Sequence, residues 1–226
     1  TISAWEPGVA ITLTVNPYYY RAAEGLPKID TLVFHFADGQ VDWGLMQVAA
    51  GVADATDALF TVYDQFTLLE LARIGAVNAL VQPGTLWEHA DFAVNPVDTY
   101  IRPDFFENRE MRRAIAYCLN RDQIASEATA GYSYRIDAYI PPEHPLYPES
   151  GFLTLYPHNV FSGTLLLEGL GWRDTNGDGI RECRSCTTPG AVEGELLRFS
   201  WKSTNATFRI LYIQTAAANL AECGID

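Results

Sequence analysis

The sequence predicts an α/β protein built from two parts of different character. In the first part, two stretches have the alternation or the β-branched and aromatic enrichment of strands, and two have helical spacing: residues 11–15 and 29–36, then 41–50 and 63–74. A glycine closes each helical stretch, as is common where a helix ends. From Pro103 onward helical patterns dominate. Strands followed by alternating helices and strands are typical of an α/β fold.

Further strands are predicted where short apolar or β-branched runs occur: residues 52–55, 78–82, 88–94 and 196–201. In the second part, the apolar stripe of residues 111–119 predicts a helix. Asn120 and Gln123 have the spacing of a capping box, so one helix ends and another begins there. A last helix is predicted over residues 206–223.

A polar connection bracketed by Pro96 and Pro103 separates the two parts. We therefore predict a first domain over residues 1–95 and a second, helix-rich α/β domain over residues 96–226.

Composition and charge restrict the function. The chain is 48% hydrophobic, which is the composition of a folded globular protein. Its formal net charge of −13 at pH 7 repels phosphate groups, so nucleic acid and anionic membrane surfaces are not expected as partners. No stretch approaches the roughly 18 consecutive apolar residues of a spanning helix, so direct membrane insertion is not expected.

The two ends of the chain suggest a segment of something longer. Thr1 is not an initiator methionine, and the chain stops at Asp226, directly after a helical pattern. There is no basic region followed by an apolar one, as a signal peptide would have. We therefore expect an excised fragment, for which a missing signal carries no information about export.

Short motifs along the chain follow one another in a characteristic order. They are residues 5–8 (Trp-Glu-Pro-Gly), 16–19 (Asn-Pro-Tyr-Tyr), 26–30 (Leu-Pro-Lys-Ile-Asp), 105–121, 140–142 (Ile-Pro-Pro), 171–172 (Gly-Trp) and 178–182 (Asp-Gly-Ile-Arg-Glu). In order and spacing the chain resembles the extracellular solute-binding proteins of family 5, the ligand-capturing subunits of oligopeptide, dipeptide and nickel ABC importers. Asn120 and His158 stand where the family usually has an aspartate, which affects capping and turns.

The resemblance implies a partial, two-lobed fold of the periplasmic-binding-protein type II kind. Residues 1–95 would be part of lobe I, and residues 96–226 the first half of lobe II. It implies a binding protein and not an enzyme, with a peptide or another small solute as ligand and ABC permease subunits as partners. It also implies an extracellular or periplasmic protein, or a cell-surface lipoprotein. Because the family proteins are longer than this chain, we expect an incomplete ligand cleft.

An acidic loop is a candidate calcium site. Oxygen ligands recur at alternate positions: the side chains of Asp174, Asn176, Asp178 and Glu182, with the Ile180 carbonyl between them. Alternate oxygens on a turning loop converge on one centre, which suits Ca²⁺. The bidentate glutamate of a complete EF-hand is absent, and a tight Asx-turn loop without metal is the alternative. Apart from a structural calcium, no cofactor is expected.

The four cysteines allow several chemistries. Cys183 and Cys186 have the spacing of a short-loop disulfide, a zinc half-site or a redox pair, and free thiols are a further alternative. Cys118 and Cys223 each lie near the end of a predicted helix, so they form a second disulfide or pack as small core residues.

Aromatic residues next to polar ones are the candidate ligand-binding groups. Aromatic side chains with polar neighbours are common in clefts. By position at the strand that leads into the predicted connection, the candidates are Trp87, Glu88 and His89, followed by Asn95 and Tyr100. No nucleophile–base pair or catalytic motif is recognisable.

Three functions therefore compete. The first is the solute-binding component of an importer, for peptides. The second is a calcium-stabilised extracellular interaction module, and the third is a secreted metal-dependent hydrolase. The ordered motifs favour the first, the single acidic loop weighs against the second, and the missing catalytic motifs weigh against the third.

Overall fold

The computed structural model describes residues 1–36, 41–56, 62–81, 84, 87–95, 102–129 and 131–226. The chain forms two compact units, Thr1–Ala79 and Leu80–Asp226. The boundary between the two units, after Ala79, lies earlier in the chain than the predicted connection at residues 95–103. The assignment of residues 1–95 and 96–226 to two lobes stays a prediction.

The first unit is an antiparallel three-stranded sheet followed by two helices. The strands β1 (Ile2–Glu6), β2 (Ala10–Thr14) and β3 (Thr31–His35) pair in chain order. The helices are α1 (Val41–Ala49) and α2 (Val62–Arg73). The strands predicted at 11–15 and 29–36 and both predicted helices are confirmed. Strand β1 was not predicted from the sequence.

The strand predicted at residues 52–55 is wrong. The amides of Val52 and Ala53 both donate to the carbonyl of Gln47, at 2.9 and 3.1 Å, in the last turn of α1. The final carbonyls of a helix lack partners within the helix. The residues after α1 satisfy them and are not available for a sheet.

The described part of the second unit contains four α-helices around one apolar core. They are α3 (Arg109–Cys118), α4 (Arg121–Ala128), α5 (Val160–Gly169) and α6 (Thr207–Glu222), with α3 against α5 and α4 against α6. Met111, Ala114, Ile115 and Cys118 of α3 are all buried, as the apolar stripe predicted. The predicted cap is also confirmed, because the Asn120 side chain accepts a hydrogen bond from the Gln123 amide at 3.1 Å.

Two-residue strands complete the second unit. Strand β4 (Trp172–Arg173) pairs antiparallel with β5 (Glu182–Cys183), and the acidic loop lies between them. Trp172 is fully buried and its indole N–H donates to the Thr188 hydroxyl at 2.9 Å.

The strands predicted at residues 78–82, 88–94 and 196–201 are not strands in the described part of the chain. From the last of these, only Leu196 forms an isolated bridge, with Glu182. The amide of Phe199 donates to the Asp226 carbonyl at 2.9 Å. Residues 195–199 thus bond to two separate short stretches, around Glu182 and at Asp226, and no continuous strand ladder forms.

Of the helices in the described residues, none has the length and apolar character required to cross a bilayer.

Candidate functional site

The second unit contains a groove of about 670 Å³. Its apolar floor includes Phe106, Ile115 and Leu119, which belong to α3 or flank it. One wall is the extended segment of residues 87–93, which we call the rim segment. The other wall comes from residues 199–203 and from Arg209 and Tyr212 of α6.

Aromatic rings line the rim segment. The Trp87 ring packs edge-on against Tyr139 and at a tilt against His89, with 4.7 Å between the ring centroids in each pair. His89 Nε2 lies 3.2 Å from a carboxylate oxygen of Asp91. Tyr139 is 80% exposed, so the Trp87–Tyr139 pair borders solvent. An amphipathic ring in this position can contact the apolar part of a ligand.

An ion pair joins the two walls. Arg209 Nη2 donates to Glu88 Oε1 at 2.7 Å, and the Tyr212 hydroxyl donates to Glu88 Oε2 at 3.4 Å. Arg209 Nη1 also donates to the Thr204 hydroxyl at 3.0 Å. The hydrogen bond that Arg209 donates to Glu88 raises the pKa of the Arg209 guanidinium. An arginine side chain stays charged in proteins, so Glu88 faces a permanent positive charge.

The far end of the rim segment is fixed through its backbone. Arg102 donates to the Ala93 carbonyl at 2.9 Å. The Asn95 amide donates to Asp104 Oδ2 at 2.8 Å, and Asn95 has a left-handed backbone with φ of 49°. The end of the segment near Ala93 is thus fixed through main-chain groups, whereas Glu88 at the other end is held by side-chain contacts.

The structure brings three of the five predicted ligand residues together. Trp87, Glu88 and His89 line the groove, whereas Asn95 lies in the turn beyond it. Tyr100 lies outside the described residues.

The opposite wall includes Trp201, Arg209 and Tyr212, which were not predicted from the sequence. A signal was available, because residues 202–205 are a polar run between a predicted strand and a helix. In α/β proteins such strand-to-helix connections are common ligand sites.

The side-chain oxygens of Asp174, Asn176 and Asp178, which were predicted as calcium ligands, accept hydrogen bonds from backbone amides of the same loop. Asp174 accepts from the amides of Gly177 and Gly179 at 2.7 and 3.0 Å. Asn176 accepts from the Asp178 amide at 2.8 Å, and Asp178 accepts from the Ile180 amide at 2.9 Å. These are Asx turns, the alternative considered for the sequence.

The electrostatics of the loop follow from these bonds. The hydrogen bond from the Ile180 amide lowers the pKa of the Asp178 carboxyl. The hydrogen bond from the Asn176 side chain lowers it further, by a smaller amount. Glu182 is buried and accepts from the Thr175 amide at 3.0 Å. Among the described residues, no group of three or more His, Cys, Asp or Glu side chains is arranged to hold a metal ion. Calcium in this loop stays a prediction.

Both cysteine pairs are joined as disulfides. Cys118 bonds to Cys223 across a sequence separation of 105 residues, and Cys183 bonds to Cys186. Cys118 and Cys223 are almost completely buried and tie the end of α3 to the end of α6. Closing a loop of this length restricts the unfolded chain far more than closing the short one does.

Comparison with known proteins gives a family and a fold. The chain matches the family described as "Bacterial extracellular solute-binding proteins, family 5 Middle" over residues 1–226. It is 27% identical over 179 residues to the oligopeptide-binding protein AppA of Bacillus subtilis (strain 168). That match covers 78% of this chain and 30% of AppA.

The solved structures that share the fold include three complexes with different ligands. AppA of Bacillus subtilis in complex with a nonapeptide superposes with a TM-score of 0.56 and 22% identity, over 100% of this chain and 40% of that one. NikA of Brucella suis in complex with Fe(III)-EDTA gives 0.69 and 17%, over 100% and 41%. MelB of Agrobacterium fabrum C58 in complex with stachyose gives 0.62 and 20%, over 99% and 34%. The chain therefore spans well under half the length of these relatives.

Proposed function

The chain belongs to family 5 of the bacterial extracellular solute-binding proteins, and on this premise we propose that it is part of the substrate-capturing component of an ABC importer for peptides. The match to the family over residues 1–226 carries the proposal. The proposed protein works outside the cytoplasmic membrane, extracellularly, in a periplasm or on the cell surface, and delivers its ligand to permease subunits. It binds its ligand and does not transform it.

Peptide is the proposed ligand class for two reasons. AppA, which is similar to this chain, is an oligopeptide-binding protein and was solved with a nonapeptide. The groove also combines the groups that a peptide requires. Trp87 and Trp201 offer apolar surface, while Glu88, Arg209 and Tyr212 offer charge and hydrogen bonds. Pockets for small ligands commonly combine an apolar lining with a few placed polar groups.

The groove of this chain is open, and we expect it to bind weakly by itself. Binding costs a ligand several kcal/mol of translational and rotational freedom whatever the number of contacts. The chain spans 40% of AppA in the structural match, so a longer protein has more surface with which to enclose the ligand. The binding free energy is what the contacts contribute beyond this fixed cost. Losing part of the contacts therefore reduces it by more than the same fraction.

Calorimetry with a library of tripeptides to nonapeptides tests the proposal. The proteins are this chain, a longer protein that contains it, and two variants of the longer protein. Trp87→Ala removes a groove ring, and Phe161→Ala is the control because Phe161 is 75% exposed on α5 and is not part of the groove lining. We expect micromolar or tighter binding by the longer protein and about tenfold weaker binding after Trp87→Ala, which is about 1.4 kcal/mol.

Three results would contradict the proposal or one of its parts. If the longer protein bound none of the peptides, peptide would be the wrong ligand class. If this chain bound as tightly as the longer protein, the groove would be a self-sufficient site. If Trp87→Ala and Phe161→Ala weakened peptide binding equally, Trp87 would not contribute specifically to the site.

A further inference from the structure

In the ion pair between the groove walls, the arginine is held more firmly than the carboxylate. Arg209 lies in the first turn of α6 with 30% of its side chain exposed. Its Nη1 is bonded to the Thr204 hydroxyl, and its guanidinium lies 5.4 Å from the centroid of the Phe208 ring. Neither of these contacts involves Glu88.

Glu88 is the movable partner. It lies on the rim segment, which is not part of a sheet in the described chain, and 46% of its side chain is exposed. Its carboxylate is bonded to Arg209 and, at the longer distance of 3.4 Å, to Tyr212. Since an ion pair this exposed contributes little free energy, a second carboxylate at the same place can compete with Glu88.

The pair also leaves part of the arginine unused. Glu88 takes one hydrogen bond from Nη2, and Arg209 Nε is a buried donor with no hydrogen-bond partner in the described residues. Elsewhere in the chain, Arg73 binds Glu70 through both Nε and Nη2, at 2.8 and 2.6 Å. Two-point contacts of this kind are the stronger and more directional form. The tethered Glu88 does not reach that geometry.

We propose that Arg209 is the recognition site for a carboxylate group of the ligand, and that Glu88 is a tethered competitor which this carboxylate displaces. The inference rests on the proposed function, because it assigns the chemistry of one end of the same groove. When the ligand carboxylate pairs with Arg209 and Tyr212, the Glu88 side chain turns to solvent. Glu88 thus weakens binding of anionic ligands, and Arg209 selects them.

The test uses the 226-residue chain and a pair of small isosteric probes. Propionate carries the carboxylate, and propionamide is its neutral counterpart. Titrations are followed by NMR through the Arg209 Nε–H resonance and the backbone amide of Tyr212. We expect propionate to shift both signals and propionamide to leave them in place. In Glu88→Gln, propionate should bind about twofold to fivefold tighter, since an exposed ion pair no longer has to be broken.

Asp91→Asn is the matched control. Asp91 is the other carboxylate of the groove lining, it is 88% exposed, and its partner is His89. Removing its charge should tighten propionate binding less than Glu88→Gln does. Arg209→Lys keeps the positive charge and loses the planar pair of donors, so propionate should bind it more weakly than wild type. Thermal melts of all variants verify that each is folded.

Two outcomes would overturn the inference. One is a propionate titration that leaves Arg209 Nε–H unmoved in both the wild type and Glu88→Gln. Another is equal tightening by Glu88→Gln and Asp91→Asn. These results do not depend on peptide calorimetry, so the two proposals fail separately. In the longer protein, a peptide with a free carboxyl terminus and an amidated peptide with a glutamate side chain distinguish the two sources of the carboxylate.

Discussion

Gly163 allows helix α5 to lie directly against the Cys118–Cys223 disulfide. A methyl group at this position would come within 3.1 Å of the Ala114 carbonyl oxygen and 3.3 Å of Cys223 Sγ, and closer still to Cys118 Sγ. The sulfur atoms cannot retreat, because each is bonded to the other as well as to its own residue. Gly163→Ala must therefore push α5 away from α3.

The magnitude follows from two opposing effects. Overpacking a dense core costs about 1–3 kcal/mol, and the upper half of this range applies where the neighbouring atoms are fixed. Alanine is favoured over glycine within a helix by about 0.5–1 kcal/mol. We expect Gly163→Ala to lower the free energy of unfolding by about 1–2.5 kcal/mol.

Gly169→Ala is the matched control. Gly169 is the last residue of the same helix, and a methyl group there would have no neighbour within 4 Å. This variant should be unchanged or more stable by up to about 1 kcal/mol. Urea denaturation gives both values, and the slope of the transition verifies that the comparison is between the same two states.

A double-mutant cycle identifies the cause. In a Cys118→Ala, Cys223→Ala background the sulfur atoms are gone, so the penalty of Gly163→Ala should fall by about half or more, as expected for residues in direct contact. If Gly163→Ala were as stable as Gly169→Ala, or if its penalty were the same with and without the disulfide, the packing argument would be refuted.

Two further predictions concern the disulfides and the acidic loop. Replacing Cys118 and Cys223 by alanine should cost about 4–5 kcal/mol, and replacing Cys183 and Cys186 about 2 kcal/mol, because the stabilisation grows with the length of the closed loop. Urea unfolding of the two double variants measures this, and a larger loss for the short loop would contradict it. Asp174→Ala should cost about 1–2 kcal/mol, because two backbone amides lose their acceptor. Thermal melts in millimolar calcium and in chelator, with wild type and Asp174→Ala, test the calcium prediction, since only bound calcium would give a stabilisation that disappears in the variant.

The helices were the part of the fold that could be predicted from the sequence. In the stripe of α3 each buried residue lies within four residues of the next, and the Asn120 cap joins residues three apart. Helical hydrogen bonds and caps are equally local, so a short window of sequence contains all the interacting groups.

Strands were predicted with less success for the opposite reason. Residues 88–94 and 196–201 have strand-like composition, yet the described structure gives them no strand ladder. A strand becomes stable through a partner that lies elsewhere in the chain, and composition does not reveal whether that partner exists. The antiparallel register of β1 with β2 supplied such a partner for residues 2–6.

The candidate site divides in the same way. Trp87, Glu88 and His89 were recognisable because an aromatic residue with polar neighbours is a local pattern. Arg209 and Tyr212 reach Glu88 across sequence separations of 121 and 124 residues. Their role depends on where α6 is packed.

By itself, the sequence determined the helices, the acidic surface and the family, because periodicity, charge and ordered motifs can be read without coordinates. Only the tertiary structure decided which groups face each other: Glu88 against Arg209, Gly163 against the disulfide, and the acidic loop's oxygens against its own amides. The physical reason is that such contacts depend on the packing of the core, which brings distant segments within a few ångströms of one another.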